Sequence, residues 1–160
     1  MNTKIANLTK EMIKYNRGDM KRINHALKVH QYARTIGILE NIDEKDLFNL
    51  ESAAILHDIG IKNCIEKYDS TSGKLQEKEG PPIASKILEK LNYKDYERIL
   101  YLISHHHSYN KINGIDYQIL IEADFLVNLQ EDNASKKTIE NVYNKIFKTK
   151  SGKQLLELLF

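Results

Sequence analysis

Several histidines and aspartates of this sequence lie where an amphipathic helix would carry apolar side chains, three or four residues from Leu, Ile, Val or Ala. They are His25, His57, Asp58, His105, His106 and Asp124. A buried carboxylate without a partner is costly, because burial either shifts its pKa or destabilises the fold. No Lys or Arg occupies the apolar stripe of the predicted helix that carries Asp58 or of the one that carries Asp124. These two carboxylates therefore need another source of positive charge.

A divalent metal ion is the cation that this set of side chains predicts. Neutral imidazole and carboxylate are common ligands of Zn, Mn, Fe, Co and Ni, and one carboxylate can bridge two ions. A single histidine on an apolar face is more often a hydrogen-bonded core residue. Two carboxylates and at least three imidazoles, all directed inward from four predicted helices, favour a shared metal site instead. The single cysteine, Cys64, excludes a cysteine-type zinc site and an internal disulfide, and we interpret it as a small core residue in a reducing compartment.

Apolar residues recur at helical spacing along nearly the whole chain, which predicts an all-α fold, a helical bundle of about six to eight helices. We expect N-caps at Asp19 and Asp43. Residues 60–80 are the least regular stretch and are expected to form a loop before a helix that begins at Pro81-Pro82. The predicted helices cover about residues 3–15, 19–41, 43–59, 81–91, 94–107, 115–130, 134–148 and 151–160.

The composition favours one globular domain over residues 1–160. Hydrophobic residues make up 41% of the chain and charged residues 29%, and 24 basic residues nearly balance 22 acidic ones for a net charge of +2. This balance predicts no nucleic-acid polymer and no membrane surface as a partner. No apolar run approaches the roughly 18–20 residues that a membrane span needs, and no leader segment is recognised, so we expect a cytoplasmic protein.

Four segments together resemble the HD-domain metal-dependent phosphohydrolases. A histidine on an early helix, His25, is followed by AAILHDIG at 53–60, ISHHH at 103–107 and EADFLVN at 122–128. The resemblance covers roughly residues 20–130, and the motifs are specific as an ordered set, although a His-Asp doublet alone is a weak signal. It implies a helical HD domain that holds one or two divalent ions.

The resemblance also implies which residues hold the ions. The first ion would be held by His25, His57, Asp58 and Asp124, and a second by His105, His106 and a further residue from the middle of the chain, with Asp58 as a bridge. Two-metal members usually carry that further ligand in a His-x-x-x-Gly-Ala-like context, where this chain reads EKEGPPIASKIL. Glu79 is the nearest counterpart. It is interpreted either as a carboxylate ligand or as an ordinary charge near a helix N-terminus.

The implied reaction is hydrolysis of a small phosphate ester, a nucleotide or another phosphomonoester, by metal-activated water that attacks phosphorus, with His57 and Asp58 in the catalytic centre. Arg22 and Lys62 are candidates for binding the substrate phosphate, against the alternative that they are solvated charges. The sequence lacks the Gly-Tyr-Pro extension of cyclic-dinucleotide hydrolases, so that activity is not predicted. His30 and His107 are expected to lie off the ligand stripes.

Two other functions stay open from the sequence. One is oxygen chemistry at a di-iron centre, because some HD-like folds resemble oxygenases. The other is a non-catalytic sensor that keeps the pocket to bind a metal or a nucleotide. The sequence predicts neither the oligomeric state nor the identity of the metal.

Overall fold

A computed structural model describes residues 2–160, and most of them lie in nine α-helices, with no strand among them. The all-helical prediction is confirmed. The helices are α1 (Thr3–Tyr15), α2 (Met20–Leu39), α3 (Glu44–Leu56), α4 (Ile61–Tyr68), α5 (Gly73–Lys90), α6 (Glu97–His105), α7 (Ile115–Glu131), α8 (Lys136–Lys145) and α9 (Lys150–Leu159).

The prediction of an irregular stretch at 60–80 is wrong, because this segment holds α4 and the first half of α5. Only a short turn separates the two helices, and the Ser72 hydroxyl ends it by accepting a hydrogen bond from the backbone N–H of Leu75. Pro81 and Pro82 lie inside α5 rather than in its first turn. A proline's fixed φ suits a helix, but its missing N–H leaves the carbonyl four residues earlier without a partner, and its ring crowds that carbonyl.

The N-caps at Asp19 and Asp43 are as predicted. Their carboxylates accept hydrogen bonds from the backbone N–H groups of Arg22 and Asp46, respectively. Helix α3 ends earlier than expected, at Leu56. The His-Asp doublet therefore lies in the turn between α3 and α4, where its side chains are free of the helical repeat.

Helix α2 packs against α3 on one side and α7 on the other. Its Val29, Ala33 and Ile36 are fully buried, and small residues such as Ala54 and Ala123 face the same core from α3 and α7. Small side chains allow close helix approach, and the apolar area removed from water stabilises this arrangement. The three elements that carry His25, the doublet and Asp124 are thus held together.

A buried carboxylate joins α7 to the start of α9. Glu122 is fully buried, and its Oε1 accepts a hydrogen bond of 2.6 Å from the Thr149 hydroxyl. Its Oε2 accepts from the Gln118 amide and from the backbone N–H groups of Lys148 and Thr149. A carboxylate at a helix N-terminus is stabilised by the N–H groups and by the helix dipole. This contact fixes the rotation of α7 two residues before Asp124.

None of the helices between residues 2 and 160 combines the length and the apolarity needed to cross a lipid bilayer.

Backbone contact between two glycines sets the position of α5. A Cβ atom on Gly60, in the turn after the doublet, would lie 2.6 Å from the backbone nitrogen of Gly80. No side chain can be accommodated there unless one of the two backbones moves. The midpoint of α5 is therefore held directly against the turn that carries His57 and Asp58.

We expect Gly60→Ala to lower the free energy of unfolding by about 1–3 kcal/mol, because the added methyl group overpacks a backbone contact. Gly37→Ala is the matched control, since the nearest atoms to a Cβ at Gly37 would be the movable ends of the Leu47, Ile42 and Leu50 side chains. The control should change stability by less than about 1 kcal/mol, since alanine favours a helix over glycine by a similar amount. Urea unfolding followed by circular dichroism measures both, and equal stabilities would contradict the close contact.

Candidate metal centre

Four side chains from α2, α7 and the turn after α3 converge on one point. The Nε2 atom of His25 lies 3.2 Å from Asp58 Oδ2, from Asp124 Oδ1 and from the Nε2 atom of His57. The His57 Nε2 atom lies 3.4 Å from each of the same two carboxylate oxygens. All four residues are shielded from solvent by the core helices. The structure thus brings together the complete set expected to hold the first ion.

The hydrogen bonds of the Nδ1 atoms show that the other ring nitrogen of each histidine, Nε2, faces the centre. His57 Nδ1 lies 2.7 Å from the carbonyl oxygen of Ala54, and His25 Nδ1 lies 3.1 Å from Glu131 Oε1. Both partners can only accept, so each Nδ1 carries a hydrogen and each Nε2 of the neutral ring presents a lone pair. Two lone pairs and two carboxylate oxygens then point at one another. They cannot form hydrogen bonds among themselves without added positive charge.

A metal ion fits the spacing of these four atoms. Bonds of about 2.0–2.1 Å from a central ion to tetrahedral nitrogen and oxygen ligands place the ligands about 3.3–3.4 Å apart. The separations at the cluster are 3.2–3.4 Å. His25, His57 and Asp124 form a ligand group by geometry alone. The donor set of two imidazoles and two carboxylates suits divalent first-row metals.

The pKa shifts of these residues also indicate that the cluster needs positive charge. Burial by itself would lower the pKa of His25, but hydrogen bonds with Asp124 and Asp58 outweigh it and raise that pKa to about 9. The pKa of His57 is also raised, because the attraction of the two carboxylates exceeds the effect of burial. Burial works to raise the pKa of Asp58, yet the neighbouring imidazoles hold it well below its usual range. When no metal is bound, protons supply the charge.

A second group of ligand atoms adjoins the first through Asp58. Its Oδ2 faces His25 and His57, whereas its Oδ1 lies 3.4 Å from His106 Nε2. One ligand atom each of Asp58, His106 and His107 lie within 4.8 Å of one another. A carboxylate whose two oxygens face different ligand groups is suited to bridging two ions.

The structure corrects two of the ligands expected from the sequence. Glu79 does not reach the cluster, since its carboxylate accepts hydrogen bonds from the Tyr68 hydroxyl at 2.8 Å and from Lys67 Nζ at 3.3 Å. His105 also faces elsewhere, with its ring stacked on Tyr101 at a centroid distance of 3.9 Å. Its Nδ1 bonds to the Tyr101 carbonyl. The reason is that α6 ends at His105, so the residues that follow turn toward the site.

The two histidines expected to lie outside the site have different positions. His30 does lie outside, where its Nε2 contacts the buried Glu51 carboxylate at 2.8 Å. His107, in contrast, belongs to the second ligand group. Burial lowers the pKa of His107, with a further contribution from His106, and so favours the neutral ring that a metal requires.

A cavity of about 390 Å³ opens beside the cluster. Its lining includes four residues of the two ligand groups, two cations and two neutral polar side chains, namely His25, Asp58, His107, Asp124, Lys21, Arg22, Thr71 and Asn128. Lys62 lies instead beside a neighbouring cavity, with its ammonium group 5.2 Å from the centre of the Tyr15 ring. Of the two phosphate-binding candidates, the structure brings only Arg22 to the metal cavity.

Three polar residues that sequence reasoning missed support the ligands. Glu131 accepts the hydrogen of His25 Nδ1, and the Asn128 amide donates to Asp124 Oδ1 at 3.0 Å. Gln76 contacts the second group through its amide oxygen. A signal for Gln76 was present in the sequence. It stands four residues before Gly80, the spacing of the His-x-x-x-Gly context, whereas Glu79 directly precedes that glycine.

Comparison with protein families gives one match over most of the chain. A family model described as HD domain matches residues 22–147, a range that contains every residue of both ligand groups. The chain belongs to the HD domain family. The resemblance read from the sequence motifs is therefore confirmed, and the match extends past the expected end near residue 130.

Comparison with curated proteins gave no match, and comparison with solved structures gave none. Membership of the HD domain family is consistent with the ligand groups that the geometry defines, because HD domains bind divalent metals. The metal, the number of ions and the substrate are not specified by the family.

We expect Glu131→Gln to weaken binding of the first metal ion about 10–100-fold, because the carboxylate orients His25 and increases the basicity of its Nε2. Asp132→Asn is the matched control. Asp132 is exposed and lines the same cavity, but only Glu131 bonds to His25. Competition of metal-loaded protein with a chromophoric chelator measures both affinities. Equal losses in the two variants would indicate a general charge effect and contradict the orienting role.

The stability of the metal-free protein should fall as the pH rises from about 6.5 through about 9. His25 has a pKa of about 9 in the folded chain against 6.5 for the free side chain, so its stabilising charge is complete below 6.5 and is lost as the pH passes 9. That shift corresponds to roughly 3 kcal/mol. The pKa of Asp124 is lowered instead, and its contribution is lost only in acid.

Urea unfolding with a chelator at pH 6 and pH 9.5 measures this loss. His25→Gln should destabilise the metal-free protein much more at pH 6 than at pH 9.5. The metal-saturated protein is the control, because a bound ion replaces the protons and should flatten the dependence. A metal-free protein that is equally stable at both pH values would contradict the charge network.

Proposed function

We propose that this protein is a metal-dependent hydrolase of small phosphate esters, either nucleotides or other phosphomonoesters. The observation that carries the proposal is the convergence of two histidines and two aspartates on one point at ligand spacing, beside a cavity whose lining includes Lys21 and Arg22. Membership of a family that consists generally of hydrolases supports it.

The reaction needs positive charge at the phosphate and a nucleophile that is available near neutral pH. A bound divalent ion supplies both, because it acidifies water and offsets the negative charge that develops on the phosphate oxygens. Asp58 lines the cavity, and the fully buried His57 precedes it in the same turn, so the two would hold the reacting centre in a fixed position relative to the core. His25 and Asp124 complete that shell from α2 and α7.

The remaining lining residues suit a phosphate ester. Arg22 and Lys21 stand at the N-terminal end of α2 and face the same cavity as His25, so their charges can bind phosphate oxygens. Thr71 and Asn128 offer hydrogen bonds to the organic part of a substrate. Ile61 is the apolar member of the lining, so the cavity favours a small, hydrated ester over a large apolar one.

The cofactor in this proposal is one or two divalent ions, drawn from Mn, Fe, Co, Ni, Zn or Mg. Imidazole and carboxylate together are compatible with all of these, and the ligand set alone does not select among them. The proposal also includes a cytoplasmic location. Its support is the single cysteine, which is buried and free.

Purified protein supplied with Mn²⁺, Co²⁺, Ni²⁺ or Mg²⁺ should hydrolyse members of a panel of nucleotides and sugar phosphates, measured as released phosphate. Asp58→Ala should reduce kcat/KM at least about 100-fold, because Asp58 contacts both ligand groups. Asp132→Asn, an exposed carboxylate of the same cavity, should retain activity and serves as the control.

Two results would contradict the proposal. One is the absence of turnover on the whole panel with every metal. The other is phosphate release by Asp58→Ala at the rate of the wild-type protein, which would assign the activity to a contaminant.

A further inference from the structure

Gln76 is held with its amide oxygen directed at the second ligand group. Its side-chain nitrogen donates a hydrogen bond of 2.8 Å to the carbonyl oxygen of Thr71, which fixes the orientation of the amide. The oxygen then lies 3.3 Å from His106 Nε2 and 2.9 Å from His107 Nε2. The residue is only 6% exposed. An oriented, buried amide oxygen therefore occupies the position beside the bridging carboxylate.

The contact between Gln76 and His106 calls for a cation. His106 Nδ1 lies 2.7 Å from the Ile103 carbonyl oxygen, so it carries the hydrogen, and Nε2 of the neutral ring presents a lone pair. That lone pair faces both the Gln76 oxygen and Asp58 Oδ1. The His106 nitrogen thus lies within 3.4 Å of two further electron-donor atoms. His107 can donate to the Gln76 oxygen when no ion is present, and can offer its own lone pair when one is.

The two positions differ in charge. The first has two imidazoles and two carboxylates, Asp58 and Asp124. The second also has two imidazoles, those of His106 and His107, but it shares the Asp58 carboxylate with the first and adds only a neutral amide oxygen where an imidazole would be expected from the His-x-x-x-Gly spacing. A neutral oxygen offsets less of a dication's charge than a carboxylate does, and it suits Zn, Cu, Fe and Ni less well than an imidazole.

We propose that Gln76 supplies a neutral oxygen ligand to the second position and makes it the weaker of the two, so that a second divalent ion binds reversibly after the first ion is firmly held. The inference deepens the proposed function and rests on its metal-binding part. The Gln76 amide adds an oxygen dipole but no charge, so the shared Asp58 carboxylate has to offset two dications. The protein as isolated would then carry one ion, and the free concentration of the metal would determine how much of it carries two.

The side chain at position 76 should accordingly set both the affinity and the preference of the second ion. Gln76→His replaces the amide oxygen with an imidazole and should tighten the second ion about tenfold or more for Co²⁺, with a smaller change for Mn²⁺. Gln76→Glu keeps the shape and adds a negative charge, so it should tighten the second ion for both metals. Gln31→His, at an exposed position of α2, is the control for an added histidine.

Equilibrium dialysis of metal-stripped protein against Mn²⁺ or Co²⁺, followed by metal analysis, counts the ions without any substrate. The wild-type protein should bind one ion tightly and a second at least about tenfold more weakly, whichever of the two metals is used. Gln31→His should match the wild type. Circular dichroism verifies folding, and the isosteric Gln76→Glu keeps the test decisive if Gln76→His does not fold.

Two ions bound with equal affinity by the wild-type protein would overturn the inference and leave the proposed function intact. A second ion whose affinity is the same in wild type, Gln76→His and Gln76→Glu would also overturn it. Conversely, the expected metal pattern with no hydrolysis of any phosphate ester would uphold the inference about Gln76 and count against the proposed reaction.

Discussion

Two carboxylates and two imidazoles face one another where α2, α7 and the turn after α3 meet, at separations of 3.2–3.4 Å. The fold has to hold these acceptor atoms close together, although they repel one another unless a cation lies between them. Pure burial would push the groups toward neutrality, and only positive charge at the centre makes the arrangement favourable. The packing of the three elements is therefore coupled to whatever supplies that charge, whether protons or metal.

The elements around the centre hold it by contacts that lie outside it. Glu122 anchors α7 through the N-terminus of α9, and Glu131, two turns beyond Asp124, fixes the ring of His25. Carbonyl oxygens at the ends of α3 and α6 fix the rings of His57 and His106 in the same way. These three rings are thus oriented by hydrogen bonds on the side away from the cluster, which would limit the reorganisation needed when a metal binds.

Helical spacing singled out five of the six residues in the two ligand groups, because a polar side chain on an apolar stripe is conspicuous, but it included His105 and left out His107. It did not identify Gln76, since an amide carries no charge and is common on solvated faces. The error at Glu79 has a geometric cause. A helix that starts at Pro81 leaves Glu79 outside it, whereas α5 starts at Gly73 and turns Gln76 inward, one turn before Gly80. Contacts between segments distant in the sequence, such as that of Glu131 with His25, cannot be predicted from the local sequence pattern.

The glycine contact between the turn after the doublet and the middle of α5 bears on how such a site can diversify. Because Gly60 and Gly80 meet through their backbones, the distance between the two ligand groups is set by main chain rather than by side chains. The residue one turn before Gly80 can then be exchanged without altering that distance. In such a fold the main chain sets the geometry of the site, and the side chains set its chemistry. Single substitutions at position 76 should therefore change the metal requirement among related proteins while the fold stays the same.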